Sequence, residues 1–520
     1  MFRFVSACVA CIGTIHSKTF ICPAHVTNEL WGLAQSVKLF IGVSRNNFNI
    51  LCINFKLLNL RSHLLLINMN EDQLKTYLKE NDITKIKFAF ADIDGVLRGK
   101  VIHHKKFIDG LKQGYGFCDV VFGWDSSDAC YDNVQLTGWH TGYPDRPCRI
   151  DLSTFRTVPW NENIPFFLGD FSNDDGEDMP ACSRSLLKRI AKECEAMGYH
   201  PEFAQEFEWF NFRETPQSLQ DKGFANMENL TPGMFGYSIL RTSLEDDFYN
   251  DVFNLLYEFN VPLEGLHTET GPGVYEAALM HDHVLTAADK AVLFKTAVKE
   301  IAYKHGIMAT FMAKWNENLP GCSGHIHQSL WSIDQTKNLF YSADGDHNMS
   351  DLHKQYLAGQ LYCLPHILPM YAPTINSYKR LVEGAWAPTT ITWGVDNRTT
   401  AFRVLHPTEA YTRLETRIPG SDTNPYLAMA AALASGLYGI KNKLELKTSA
   451  TTGNGYQDKR NGTLAPNLLE AATMMRGSSV AKELFGEAFV DHFTNTRLWE
   501  WRQFGKSVTD WELKRYFEII

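Results

Sequence analysis

The strongest period-two signal in the chain is Glu202-Phe-Ala-Gln-Glu-Phe-Glu-Trp-Phe. Phe203, Phe207 and Trp209 fall on one face of the strand this predicts, and Glu206 and Glu208 fall side by side on the other. Upstream, Ile86, Phe88 and Phe90 alternate with Lys87, Ala89 and Ala91 as on a half-buried strand. Asp94-Gly95 is a hairpin signal, and Val96 to Ile102 reads as the return strand. Further strand-like runs occur at Cys148-Arg-Ile-Asp-Leu and Pro165-Phe-Phe-Leu-Gly, so a small sheet begins near residue 83. The period changes after Pro180. Ser183 can cap a helix whose stripe is Leu186, Leu187, Ile190, Ala191, Cys194 and Met197, with Gly198 as the stop. A second helix is expected from about Ala287 to His305, ended by Gly306, and then a strand from Ala309 to Lys314. Thr451 to Thr463 is Gly/Asn-rich and reads as an exposed loop.

Composition narrows the class. With 520 residues, a net charge of −9 and 12% aromatic residues, the chain can bury a large core and form two or more domains. The acidic balance argues against a nucleic-acid binder. The cysteines are scattered, Cys8-Val-Ala-Cys11 is a CxxC without strand–helix context, and a cytoplasmic enzyme is the simplest reading. No charge-free run in the first 68 residues is long enough for a membrane span. Those residues hold one acidic side chain, Glu29, against six Lys or Arg. At Met69 the sequence changes to MNEDQLKTYLKEND, an amphipathic helix opening. Residues 1–68 are therefore read as an over-extended start, or else a leader, outside the fold.

Candidate chemistry gathers downstream. Leu266-His-Thr-Glu-Thr-Gly-Pro-Gly-Val-Tyr-Glu places Glu269 and Glu276 around a tight turn. His325 and His327 share a strand face in Gly324-His-Ile-His-Gln-Ser-Leu. Glu415 alternates with Leu414 and Thr416. Glu206, Glu208, Glu269, Glu276 and Glu415 with a histidine make an oxygen-dominated set, which suits Mg²⁺ or Mn²⁺ rather than Zn²⁺. Five carboxylates exceed what one Mg²⁺ takes, so two or more ions are implied. The stretch from Asn376 to Tyr426 adds Arg380, Arg398, Arg403, Arg413 and Arg417 among apolar neighbours. Arginines there need anions, either the protein's own carboxylates or a ligand's phosphate or carboxylate. Carboxylate-held metals beside arginines suit phosphoryl transfer, and no glycine-rich nucleotide loop is present.

These motifs resemble the glutamine synthetase family of the bacterial type I class, with its γ-glutamyl-amine synthetase relatives. The likeness runs from about residue 83 to 520. It rests on EFE at 206–208, ETGPGVYE at 269–276, TFMAK at 310–314, GHIHQSL at 324–330, NSYKRLVEG at 376–384, NRTTAFR at 397–403 and RLETRIPGSDTNPYLA at 413–428. The resemblance implies an α+β fold: a β-grasp domain at 69–180, then a catalytic domain at 181–520 on a curved antiparallel sheet flanked by helices. It implies stacked rings, usually dodecamers, with sites shared between subunits. Glu208, Glu269 and Glu276 would hold one metal, and Glu206, His325 and Glu415 the other. Gly321, Arg380 and Arg417 match positions that hold glutamate. His327, Ser329, Arg398 and Arg403 match the ATP side, with Arg398 also catalytic. The loop near Asp125 to Ser127 would complete a neighbour's site. The implied reaction joins ammonia or a primary amine to the γ-carboxylate of glutamate, with ATP as substrate and a γ-glutamyl phosphate intermediate.

Three departures mark this chain. Val274 stands where the family's turn has glutamine. Cys322-Ser323-Gly324-His325 replaces the usual GSGMH. Trp386 occupies the position of the catalytic glutamate that follows RLVPG, so its indole, lacking charge and basicity, would shield the site and favour an organic amine over ammonium. The alternatives are a catalytically inactive structural member of the same fold, and a Zn²⁺ hydrolase built on His325-x-His327.

Overall fold

The computed structural model describes residues 69–520. The leader segment and Cys8-x-x-Cys11 lie outside the described residues. Helix α1 (Glu71–Glu80) opens on a capping box, in which Asn70 accepts from the Gln73 N–H and Gln73 accepts from the Asn70 N–H. Then follow β1 (Lys85–Ala91), β2 (Leu97–His103), α2 (His104–Gln113), β3 (Tyr115–Cys118), β4 (Asp145–Val158) and β5 (Ile164–Phe171). The strands form a five-stranded sheet in the order β2-β1-β5-β4-β3, with β1 and β5 parallel at its centre. The hairpin is where the sequence put it: Gly95 has φ +79°, and the Asp92 carboxylate accepts from the Asp94 and Val96 N–H groups. Phe88, Phe90, Phe107, Phe167 and Phe171 fill this sheet's own core.

Helix α3 (Ser183–Ala196) begins one residue after Cys182, which occupies the cap position without a side-chain bond. Ser183 is inside the helix and buried, so the expected serine cap does not form. Arg184 stands beside it and holds Asp289, Asp170 and Asp151 at 2.8, 3.0 and 3.0 Å. Burial of that guanidinium requires such partners, and they tie the small sheet to the helices behind it.

The second sheet is larger. Its strands are β6 (Tyr199–Phe212), β7 (Leu263–Thr268), β8 (Val274–Leu279), β9 (Asp282–His283), β10 (Met308–Thr310), β11 (Ile326–Ser332), β12 (Trp393–Val395), β13 (Phe402–Leu405) and β14 (Arg413–Thr416). The path is β12-β13-β14-β11-β6-β8-β7, with β9 and β10 also on β6, and every pairing except β12–β13 is antiparallel. One face is covered by α3, α4 (Asp246–Glu258), α5 (Val284–Lys304), α6 (Asp351–Ile367) and α7 (Pro425–Lys441). Phe207 and Trp209 point into that layer and pack on Phe294 and Phe311.

Two boundaries differ from the pattern. Helix α5 starts at Val284, where His283 Nδ1 caps the Leu285 N–H. The strand expected over 309–314 stops at Thr310 because Asn376 takes both main-chain groups of Lys314, at 2.7 Å each. The described chain ends in α8 (Leu468–Gly477), α9 (Ser479–Phe485), α10 (Glu487–Phe504) and α11 (Asp510–Tyr516). Among the described residues no helix is long and apolar enough to cross a membrane.

Candidate active site

The register of the second sheet lines the polar side chains into one row. Arg403 pairs with Glu415 across β13–β14, and Glu415 pairs with His327 across β14–β11. The Glu206 N–H donates to the His325 carbonyl, which sets β6 beside β11. Glu208 lies directly opposite Glu276 on β8, and Glu276 opposite His267 on β7. Period two on each strand sends the apolar neighbours to the helix layer and leaves this row on the open face.

The row holds two clusters. In the first, His325 Nδ1 is 2.7 Å from Glu206 Oε1 and 3.5 Å from Glu415 Oε1, while His327 Nε2 is 3.4 Å from Glu206 Oε2. Both histidines therefore face the same two carboxylates. Ligand atoms of Glu206, His327 and Glu415 come within 4.8 Å of one another. His327, expected on the nucleotide side, therefore also stands against this group. Burial raises the Glu415 carboxyl, but Arg417 and the two histidines outweigh it and hold it down at about 2. Burial and Arg417 together push His325 down to about 4, so its ring is neutral and able to ligate. Its Nε2 is buried without a hydrogen-bond partner.

The second cluster is Glu208, Glu269, Glu276 and His267. His267 Nε2 is 3.6 Å from Glu276 Oε2, and its Nδ1 is 3.9 Å from Glu269 Oε2. Burial pushes Glu208 up to about 7, with Glu269 and Glu206 adding repulsion. Burial and repulsion from Glu206, Glu208, Glu269 and Glu415 push Glu276 up to about 10. Glu269 Oε2 is buried with no hydrogen-bond partner. Negative charge here is crowded and unmet. Crowded carboxylates with an orphaned oxygen are what an oxygen-preferring divalent cation relieves, so the residues fit such an ion.

The arginines separate by role. Arg403 binds Glu415 at 2.8 Å and also Asp396. Arg417 binds Glu415, and its other nitrogens donate to the Arg398 carbonyl at 3.1 Å and the Trp386 carbonyl at 3.5 Å. Arg380 is 2% exposed. Its guanidinium donates to the Ile418 carbonyl, Ser323 Oγ and the Arg417 carbonyl at 2.9, 3.0 and 3.3 Å. It lies under the site and braces two of its loops. Gly321 makes room for it, since a Cβ there would meet the Ala313 carbonyl at 2.5 Å and Arg380 Cγ at 2.8 Å. Arg398 is exposed, and its side chain makes no hydrogen bond or ion pair among the described residues.

Comparison with known proteins meets this geometry. The family described as "Glutamine synthetase, catalytic domain" matches residues 180–516. The chain belongs to the glutamine synthetase family. It is 53% identical over 453 residues to the type-1 glutamine synthetase 2 of Dictyostelium discoideum, covering 86% of this chain and 87% of that one. It is 36% identical to a glutamate–isopropylamine ligase of Pseudomonas sp, covering 86% and 98%. A solved structure titled GmaS/ADP complex superposes with a TM-score of 0.74 at 26% identity, over 85% of this chain and 98% of that one.

In this glutamine synthetase family member Trp386, Ser329 and Asp125 are the expected residues that remain. Trp386 sits on a turn with φ +58° and is 60% exposed, its carbonyl held by Arg417. Ser329 is buried, and its hydroxyl accepts from the Trp331 indole at 3.0 Å. Asp125 makes no hydrogen bond or ion pair to the carboxylate row of its own chain. It forms a turn with the Ser127 and Ala129 N–H groups and accepts from the Trp499 indole at 2.9 Å. Two residues went unassigned in the sequence. His267 shares a strand face with Glu269, a two-residue spacing like that of Glu206 and Glu208. Arg413 donates to His327 Nδ1 at 3.2 Å, which leaves the proton on Nε2, facing Glu206.

Proposed function

We propose that this protein is an ATP-dependent ligase that joins an amine to the γ-carboxylate of glutamate, with an organic primary amine favoured over ammonium. The observation that carries the reading is the row itself: two adjacent carboxylate–histidine clusters with arginines at one end, on one face of a family sheet. A site that had lost its chemistry would not retain five carboxylates, two histidines and their bracing arginines in register, so the inactive structural alternative is not favoured. A lone Zn²⁺ at His325-x-His327 leaves the Glu208–Glu269–Glu276 cluster without a purpose.

Glu208, Glu269 and Glu276, with His267 beside them, would hold one divalent cation, and Glu206, His325 and Glu415 a second, with His327 facing Glu206 from beside it. Mg²⁺ or Mn²⁺ suits the oxygen-rich donor set. Ions held there would supply positive charge against the transferred phosphoryl group. Glutamate is held near Gly321 by Arg417, with Arg380 bracing the loops and contributing its positive charge from below. ATP is placed by Arg398, Arg403 and Ser329; the unpaired Arg398 is the cation free to reach the moving phosphoryl group.

A γ-carboxylate oxygen attacks the terminal phosphorus, the bond to ADP breaks, and γ-glutamyl phosphate forms. The amine nitrogen then attacks the acyl carbon, phosphate leaves with its bridging oxygen, and the proton lost by the nitrogen passes to the departing phosphate. Trp386 excludes water from the acyl phosphate and packs on the carbon chain of the amine. Asp125, on a loop after the small sheet's β3, would serve a neighbouring subunit's amine entrance in a ring assembly, and a dodecamer of stacked rings is the assembly we favour. Residues 69–180 are read as a β-grasp domain, on the parallel central pair β1–β5 with α2 beside it, and 181–520 as the catalytic domain. Cytoplasmic residence follows from the scattered thiols of the sequence. The test is purified protein with glutamate, Mg-ATP, and ammonium or a panel of primary amines, reading phosphate release and amide. Amine-dependent phosphate release is expected, and release that ignores both glutamate and amine overturns the reading.

A further inference from the structure

The connection between β3 and β4, residues 119–144, holds no helix or strand beyond one turn of 3-10 helix at Asp119–Phe122. A loop of that length keeps a single shape only where bonds from outside fix it. Its base is tied to the small sheet. Asp119 is fully buried and accepts from Thr137 Oγ1 at 2.7 Å and from Arg146 Nε at 3.3 Å. Arg98, on β2, pairs with Asp128 at 3.1 Å.

The rest of the hold comes from helix α10. Asn495, Trp499 and Arg502 stand four and three residues apart, so they share one face of that helix. The Asn495 carbonyl accepts from Asn133 Nδ2 at 2.8 Å, the Trp499 indole N–H donates to Asp125 Oδ2 at 2.9 Å, and Arg502 pairs with Asp132. Tyr131 meets the Trp499 ring edge to face, with centroids 5.7 Å apart, and Val134 completes a small buried cluster with them. Helix α10 is itself anchored. Arg497 is buried, pairs with Asp94 on the β1–β2 hairpin at 2.6 Å and donates to the Pro373 carbonyl at 2.9 Å, on the segment that leads to Arg380.

Asp125 is where this hold meets the chemistry. Its Oδ1 accepts from the Ser127 and Ala129 N–H groups at 2.8 and 3.0 Å, which shapes the turn. Its Oδ2 accepts from the Trp499 indole, which sets where the carboxylate stands. Ser126, Ser127, Asp128 and Ala129 are exposed while Trp499 is 8% exposed, so the turn faces outward on a buried support. An indole N–H at that depth needs an acceptor, and the one this fold supplies is Asp125.

We infer that Trp499 is a positioning residue for the amine step of a neighbouring subunit: through its indole N–H it fixes the Asp125 carboxylate at the outer turn of its own chain, where the neighbour's amine entrance would meet it. The inference rests on the reading of Asp125 as part of that entrance. Among the described residues Trp499 makes no hydrogen bond to the carboxylate row of its own chain, so its effect is expected in the adjacent subunit.

Trp499→Phe keeps a ring beside Tyr131 and removes the donor. Steady-state kinetics on the intact assembly should show the KM for the preferred amine rising about fivefold, the worth of one hydrogen bond, with the KM values for glutamate and ATP unchanged. Arg502→Ala, at an exposed position, should move the amine KM in the same direction by less, and it supplies the measurement if Trp499→Phe does not fold. Co-expression with an excess of Glu208→Ala chains separates a role in the neighbour from a purely structural one. In such hybrids the working sites belong to Trp499→Phe chains, and their neighbours carry an intact Trp499. The amine KM should therefore return to the wild-type value. A KM that stays raised overturns the inference, because Trp499 then acts within its own subunit. If Asp125→Asn raises the amine KM while Trp499→Phe and Arg502→Ala do not, the positioning role is overturned and the reading of Asp125 stands. If Asp125→Asn leaves the amine KM untouched, the reading of Asp125 fails and the inference with it.

Discussion

Stripping divalent ions from this protein should make its stability fall as pH rises above neutrality, opposite to the usual behaviour of ion-paired carboxylates. The perturbation is chelation, and the groups are Glu208 and Glu276, raised from 4.5 to about 7 and about 10. A carboxyl whose pKa is higher in the folded state favours folding most below its unfolded value. That contribution is lost as pH climbs from about 4.5 through about 7 for Glu208 and towards 10 for Glu276. Each group costs about 1.4 kcal/mol per pH unit across its window, so Glu276 alone removes about 3 kcal/mol between pH 7 and 9, above the range in which the buried neutral His325, His353 and His492 add stability as pH rises. In a protein this large that is a few degrees of Tm. The assay is thermal unfolding across pH 7–9 in chelator, then with excess Mg²⁺ or Mn²⁺, which should flatten the slope by supplying the missing charge. Glu276→Gln is permanently neutral, so it should raise the Tm of the chelated protein at pH 8 while abolishing activity. A chelated Tm that is flat or rises with pH, or a Glu276→Gln protein with an unchanged slope, would refute the reasoning.

The other predictions are shorter. Glu208→Ala and His325→Ala should each lower turnover by at least about 100-fold, because losses of that order already follow from partners one layer further out; circular dichroism and assembly size should be unchanged. Arg417→Lys should raise the KM for glutamate by about 10-fold or more with little change for ATP, since an ammonium cannot replace the guanidinium fork; an equal loss for both substrates would assign Arg417 to structure alone. Gly321→Ala should destabilise the fold by about 1–3 kcal/mol in chemical denaturation, because its Cβ would overlap the Ala313 carbonyl and the Arg380 stem. Trp386→Glu should raise the use of ammonium relative to alkylamines.

What could be read in the sequence was local alternation. Glu206 and Glu208 share a face because period two on a strand leaves no choice, and the same rule placed His325 beside His327. Partners across strands were less legible. His267 completes the second cluster only because β7 pairs with β8 in the register that sets it opposite Glu276, and no pattern within β7 announces that pairing. Arg413 reached His327 through the same kind of long-range register. Arg380 shows the converse. Its neighbours in sequence marked it as buried, but whether a buried guanidinium faces a ligand or carbonyls of its own chain depends on loops that close 37 and 57 residues away. The segment at 451–463 was legible as a loop from its turn composition, and most of it is exposed. Composition did not show that Gly455 closely approaches the Thr399 carbonyl or that Asn461 donates to the Ile391 carbonyl.

The central claim, that a γ-carboxylate oxygen is phosphorylated before the amine arrives, is tested most directly by oxygen labelling. Glutamate carrying ¹⁸O in both γ-carboxylate oxygens is incubated with the enzyme, Mg-ATP and the preferred amine, and the phosphate and amide are weighed by mass spectrometry. The atom balance above predicts one ¹⁸O in each phosphate released and one retained in each amide. Phosphate free of label would contradict it, because the terminal phosphoryl group would then have passed to water rather than to glutamate.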